Sequence, residues 1–273
     1  MDNGKMMMLA GNIYEFFKSK QREILREYID PPPLYEKSPG NYVGAVDEVM
    51  QEWFMDFLPR LVPCDVISEE INHPWHTRPD RFWVIDPLDG THNHSAKMFF
   101  GHQLALIEDG VLAFSAIYLP LEEQATWDGF FFAAKCEGAW QHVPQGLRLL
   151  CASRQKNLKK AHLLLEGPSR GLRKQEFPNR VALEAERNHN GLSYAYSATR
   201  LAMGGLRPLG VDALIGYKGC PWDTLPGILL FEEAGGFMVT GWDGSPWSLE
   251  NCGNLIFAAT EQLLCQILAL NMD

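Results

Sequence analysis

Ile13, Phe16, Phe17, Ile24, Leu25 and Tyr28 recur at helical spacing, which predicts an amphipathic helix over about residues 10–28. The run from Ile29 to Asn41 carries consecutive prolines that remove donors and forbid helix, and it predicts a loop. A second helix follows, with Val46, Val49, Met50, Trp53, Phe54, Phe57 and Leu58 on one face. The pattern then changes to short apolar runs bounded by polar residues. Val66-Ile67 and Phe82-Trp-Val-Ile85 predict buried strands. Leu104–Ile107 and Val111–Tyr118 flank Glu108-Asp-Gly110, a hairpin signal. Two further strands are expected within 124–140.

Beyond about residue 150 strands and helices mix. His162–Leu165, Ala213–Ile215, Phe237–Val239 and Leu255–Ala258 predict strands. Ala198–Gly204, Thr224–Glu233 and Glu261–Leu270 predict helices, and the polar stretch 167–192 predicts a long loop. The fold class is therefore α+β followed by α/β, with two sheets between helix layers. The expected division is an N-terminal half over 1–145, of two helices and an antiparallel sheet, and a C-terminal α/β half over 146–273.

The 273 residues, 46% apolar and 21% charged, describe an ordinary globular chain with enough core to need no staples. A net charge of -10 argues against a nucleic-acid coat, which needs a cationic face. The six cysteines are scattered without a CxxC pair, so neither a zinc site nor a disulfide framework is expected. The first residues lack an apolar segment long enough for secretion, and no apolar run approaches the roughly 18 residues of a membrane span. These features predict a reduced, cytoplasmic protein.

Ile67-Ser-Glu-Glu70, Asp86-Pro-Leu-Asp-Gly-Thr91 and Trp222-Asp223 each place acids just after an apolar strand or just before a helix. Such positions converge on a crevice in layered folds. A turn at Pro87-Leu88 would aim Asp86 and Asp89 at one point and free the Leu88 carbonyl as a further oxygen. Hard cations such as Mg²⁺ take such oxygen ligands. Gly90 lets the backbone approach an anion, so the amides of Gly90 and Thr91 can grip phosphate. Asp223, ahead of Thr224-Leu-Pro226, also fits a helix N-cap.

These residues resemble the lithium-sensitive inositol-monophosphatase-like phosphatases. That pattern is an Asp, then Glu-Glu, then Asp-Pro-(Ile/Leu)-Asp-Gly-(Thr/Ser), then Trp-Asp followed after eleven residues by Gly-Gly. The chain has Asp47, Glu69-Glu70, Asp86–Thr91, and Trp222-Asp223 with eleven residues before Gly235-Gly236. The stretch Ala133–Ala139 looks like the family's strand pair. The resemblance implies a layered αβαβα sandwich of the sugar-phosphatase type, usually a homodimer. It implies a Mg²⁺-dependent hydrolase acting on a small phosphorylated metabolite such as an inositol monophosphate, and inhibition by Li⁺. It assigns Glu69, Asp86, the Leu88 carbonyl, Asp89 and Asp223 to two or three Mg²⁺ ions. Asp47 and Thr91 resemble the pair that orients and deprotonates the attacking water, with Glu69 also in the catalytic set. Lys37 resembles a mobile-loop lysine that nears metals and phosphate.

The chain departs from the family at Gly44, where a threonine is usual, and at His94, where Phe is usual, with His92 two residues earlier. Gly216 stands where inositol phosphatases carry a Glu that accepts sugar hydroxyls. Tyr196-Ser-Ala-Thr-Arg200 matches a helix start that binds substrate, making Ser197, Thr199 and Arg200 candidates beside Asp89, Gly90 and Thr91. Arg200 and Lys218 are the cations a second phosphate would need in the alternative reading, a 3′-phosphoadenosine 5′-phosphate phosphatase. A further alternative is a catalytically silent member acting as a binding or scaffold protein.

Overall fold

A computed structural model of the chain describes residues 1–30, 34–38, 41–71, 75–122, 129–206 and 210–271. The first helix, α1, spans Asn3–Ile29 and so begins earlier than the aromatic spacing predicts. Asp2 caps it by accepting from the Lys5 N–H at 2.8 Å, and Met6 and Leu9 extend its buried face. The predicted loop over 29–41 is corrected in part. Pro31–Pro33 lie outside the described residues, but β1 (Leu34–Ser38) and β2 (Asn41–Gly44) pair as an antiparallel hairpin leading into α2 (Ala45–Leu61).

A seven-stranded sheet follows in simple sequence order: β3 (Asp65–Ser68), β4 (Arg81–Asp89), β5 (Gly101–Glu108), β6 (Val111–Tyr118), β7 (Phe130–Ala134), β8 (Gly138–Val143) and β9 (Gly146–Leu149). Only the β3–β4 pair is parallel. The β5–β6 connection is the expected hairpin, with Asp109 and Gly110 at φ 53° and 73°, the two positive values that a mirror-image turn requires. Between β4 and β5 lies the five-residue α3 (Thr91–Ser95).

The C-terminal part is richer than the pattern predicts. After β10 (His162–Glu166), the supposed loop 167–192 holds α4 (Ser169–Leu172), α5 (Glu176–Glu184) and β11 (Arg187–Asn190). Then come α6 (Tyr194–Ala202), β12 (Ala213–Gly216), α7 (Pro221–Glu233), β13 (Met238–Gly241), β14 (Leu255–Ala258) and α8 (Glu261–Ala269). Five of these strands form a second sheet in the order β11-β10-β12-β14-β13.

Three apolar cores stack these elements into the αβαβα sandwich. Phe17 of α1 and Phe54 of α2 pack with Trp83 and Leu104 on one face of the large sheet. Phe82 and Ala105 on its other face meet Leu201 of α6, Ile228 of α7, and Leu214 and Phe257 of the small sheet. Leu163 and Ile256 on the small sheet's far face pack against Val181 of α5 and Ile267 of α8. Among the described residues no helix is long and apolar enough to cross a membrane.

Candidate metal and phosphate site

The Asp86–Asp89 stretch is the C-terminal end of β4, not a turn. In the β4–β5 ladder Asp86 faces Gln103 and Asp89 faces Gly101, so three steps on β4 match two on β5. This is a bulge, and Pro87, which has no N–H to give the ladder, sits in it. In a flat strand, positions three apart point to opposite faces. The one extra residue brings Asp86 and Asp89 to the same side. The Leu88 N–H then donates to Asp86 Oδ1 at 3.0 Å.

Glu69, just beyond β3, and Asp223, in the first turn of α7, complete a group with Asp86. Carboxylate oxygens of these three lie within 4.8 Å of one another. The expectation that Asp223 precedes its helix is corrected. Pro221 opens α7 one residue after Cys220, and Asp223 Oδ2 reaches back to accept from the Cys220 N–H at 2.7 Å. Burial, followed by the charges of Glu69, Asp89, Asp223 and Asp47, pushes the Asp86 carboxyl well above the usual carboxylate range. Burial and the charges of Glu69 and Asp89 do the same to Asp223. So much uncompensated negative charge in a dry setting fits a hard cation held by oxygen ligands.

Asp89 stands outside that group of three. Its Oδ2 accepts the Ala195 N–H at the start of α6, and burial raises its carboxyl to about 6 against the hydrogen bonds from Ala195, Ser193 and Tyr194. Thr91 Oγ lies 3.0 Å from Asp47 Oδ1 and 3.2 Å from the Leu88 carbonyl oxygen, so the hydroxyl ties the first turn of α2 to the bulge. Gly90 has φ 89°, and a Cβ there would stand 3.1 Å from the Ser193 Cβ and 3.4 Å from the Phe99 carbonyl oxygen. Only glycine suits this close, left-handed corner.

The other sequence candidates are placed differently. Ser197 and Thr199 are buried within α6: the Ser197 hydroxyl donates to Glu166 Oε1 at 2.5 Å, and the Thr199 hydroxyl to the Tyr196 carbonyl at 2.8 Å. The helix begins at Tyr194 behind the Ser193 cap, so its first amides belong to 193–195 and not to Tyr196–Ala198. Arg200 lies 2.7 Å from Glu122 and over the Tyr196 ring at 4.3 Å. Lys218 is exposed, with its Nζ 5.5 Å from the Tyr217 ring centre. Lys37 is in β1, and its side chain lies outside what the structure describes. His94 packs edge-on against Phe100 and Tyr28, and burial drops its pKa to about 4, as suits a core ring.

Three residues escaped the sequence reading. Glu166 ends β10 opposite Gly216 of β12, accepts from the Ser197 hydroxyl and the Leu192 N–H, and is raised by burial to about 7. It repeats the acid-after-apolar-strand signal of Asp86. On β5, His102 Nδ1 contacts the Pro87 carbonyl, and Gln103 Nε2 donates to the Asp223 carbonyl at 3.1 Å. Their signal was two polar residues at the head of an apolar run.

The family model described as the inositol monophosphatase family matches residues 12–271. A fructose-1,6-bisphosphatase/inositol-1-monophosphatase of Aquifex aeolicus is 25% identical over 242 residues, covering 86% of this chain and 83% of that protein. The 3′(2′),5′-bisphosphate nucleotidase CysQ of Escherichia coli is 33% identical over 95 residues, a third of this chain and 39% of CysQ. The solved structure of the extragenic suppressor protein suhB from Bartonella henselae superposes with a TM-score of 0.80, at 22% identity, over 96% of this chain and 97% of that one.

Proposed function

The chain belongs to the inositol monophosphatase family, and from that premise we propose that it hydrolyses the phosphate monoester of a small polyol or sugar, inositol monophosphate among them, with Mg²⁺ and water. The observation that carries this reading is the convergence of Glu69, Asp86 and Asp223 oxygens within 4.8 Å. These residues, with the Leu88 carbonyl and Asp89, would hold two or three ions. When bound, Mg²⁺ supplies positive charge that screens phosphate oxygens and acidifies water. The protein's own groups do the rest. Thr91 and Asp47, 3.0 Å apart, orient the attacking water, and Asp47 takes up its proton. The Gly90–Thr91 backbone approaches the phosphate at a corner that a Cβ would block. Positioning and charge neutralisation suffice for phosphoryl transfer, and no side chain need be phosphorylated. Lys37 is assigned to the phosphate from the hairpin side. A homodimer is part of the same reading.

A monoester is preferred to a nucleotide bisphosphate because Arg200, which a second phosphate would call on, is engaged with Glu122. The test is phosphate release from a panel including inositol 1-phosphate, fructose 1,6-bisphosphate and 3′-phosphoadenosine 5′-phosphate, with Mg²⁺ or chelator, for wild type and Asp86→Asn. Release that needs Mg²⁺ and falls about 100-fold or more in Asp86→Asn is expected, since several kcal/mol of charge stabilisation goes with the ion. Release indifferent to both would move the active site elsewhere. Release from none of the esters would make the chain a silent member of its family.

A further inference from the structure

His102 is fully buried on the side of β5 that faces α1, stacked on Tyr118 and Phe17 and edge-on to Phe100. It stands opposite the bulge, one residue from Gln103, which pairs with Asp86, and one from Gly101, which pairs with Asp89. Its Nδ1 meets the carbonyl oxygen of Pro87. A carbonyl only accepts, so Nδ1 carries the hydrogen and Nε2 is the bare acceptor. Nε2 is buried and finds no partner among the described residues. An imidazole kept among aromatic rings at the cost of an orphaned nitrogen is expensive, and a plain apolar side chain would avoid that cost. The ring is neutral, its pKa dropped to about 4 by burial.

The peptide unit that His102 holds is the one that orients a proposed metal ligand. The Pro87 carbonyl and the Leu88 N–H belong to one planar group, so fixing the oxygen fixes the direction of the hydrogen. That N–H donates to Asp86 Oδ1 at 3.0 Å. The bulge has taken this peptide out of the β4–β5 ladder, so its tilt is not set by sheet pairing. The chain of contacts runs from imidazole N–H to Pro87 carbonyl, through the peptide plane, to Leu88 N–H and the Asp86 carboxylate.

We propose that His102 is a positioning residue that locks the Pro87–Leu88 peptide plane and thereby presents the Asp86 carboxylate to the cation. The inference rests on the metal reading of the site given above. It assigns to His102 no contact with substrate or ion.

The experiment is calorimetric titration of Mg²⁺ into the metal-free full chain, beside thermal unfolding of the same samples. In His102→Asn the side-chain Nδ2–H, attached to Cγ like the histidine Nδ1, keeps the donor but leaves a cavity. His102→Leu fills the space and removes the donor. Mg²⁺ binding about tenfold or more weaker in His102→Leu is expected, and within about threefold of wild type in His102→Asn, the range seen when partners behind metal ligands are lost or kept. The order of affinities thus follows the donor, whereas the melting temperature need not. Should His102→Leu not fold, His102→Ala is the donor-less cavity variant to set against His102→Asn. Equal Mg²⁺ affinity in donor and donor-less variants overturns the proposal, as does an Asn variant as weak as Leu or Ala. Failure of the wild type itself to bind Mg²⁺ removes the metal reading and this inference with it.

Discussion

Thr91 shows how one hydroxyl can serve two masters. Its oxygen lies 3.0 Å from Asp47 and 3.2 Å from the Leu88 carbonyl, and its single hydrogen satisfies one of them at a time. In the proposed mechanism, donation to Asp47 leaves a lone pair for a water's hydrogen, and Asp47 takes up the proton that water gives up. Removing the hydroxyl leaves the carboxylates and the Gly90 corner unchanged, so substrate binding has little reason to suffer. Thr91→Ala is therefore expected to lower kcat about 100-fold with KM little altered, and Thr91→Ser to retain most of the rate. Saturation curves of phosphate release for the three proteins check this. A rise in KM at constant kcat would instead put Thr91 in substrate binding. Glu69, Asp86 and Asp223 were legible only as a set: singly they read as a solvated edge, a turn and a helix cap, and their order along the chain points to one cluster, which the fold assembles. His102 and Gln103 were not. Inside an apolar strand, a polar residue reads as an edge, and only the ladder register reveals that both face inward.

At the scale of elements, helices and strands with an apolar period were legible, and elements built by backbone pairing or by a cap were not. Arg187–Asn190 is polar and exposed throughout, and it is a strand only because β10 offers a parallel edge. Pro226 suggests a helix start just after Asp223, whereas Pro221, free of any N–H to satisfy, is the true first residue. The Asp86–Asp89 turn failed for a similar reason: Pro and Gly in sequence mark a break in pairing without saying whether the chain reverses or bulges. The bulge has a consequence for β5, whose two successive residues contact, from opposite faces, the two elements that carry Asp86 and Asp223. His102 reaches the β4 bulge, and Gln103 reaches the Asp223 carbonyl on α7. Gln103 Oε1 is itself buried without a partner among the described residues, which makes glutamine costly there. Gln103→Leu is accordingly expected to leave the melting temperature unchanged or higher, while the Mg²⁺ concentration for half-maximal activity rises about tenfold. Initial rates over a Mg²⁺ series, with calorimetry of the same protein, separate the two effects. A variant both less stable and unaltered in Mg²⁺ demand would make Gln103 a core residue only.

Across the whole molecule, the three apolar cores support the sandwich, and the acidic site sits where α2, β4, α6 and α7 meet. Folding brings together carboxylates that the unfolded chain keeps apart, so stability depends on pH and on cation together. In the metal-free protein, Asp86 and Asp223 are raised well above 3.8, Asp89 to about 6, and Glu166 from 4.5 to about 7. The folded chain binds more protons than the unfolded one in this range. That contribution is complete below the unfolded values and is lost as pH rises through the folded ones. His94 and His102 act with the opposite sign, since both fall from 6.5 to about 4, and their contribution is lost as pH drops through that interval. Below pH 6.5 the two trends oppose each other. At pH 6.5 the two unfolded histidines are still half charged but are outweighed by the raised Asp86, Asp223 and Glu166, and about one unit higher both are neutral whether folded or not. With chelator present, the melting temperature is expected to fall between pH 6.5 and pH 8. Mg²⁺ replaces the protons, so a fixed concentration of one hundred times its Kd at pH 8 should restore about 5–10 °C at pH 8 and less at pH 6.5, where protons compete and the Kd is weaker. Paired melts with chelator and with Mg²⁺ across that range measure the gap directly. A gap that does not widen with pH would mean the ion binds away from these carboxylates, and the proton-for-cation exchange on which the site is built would be absent.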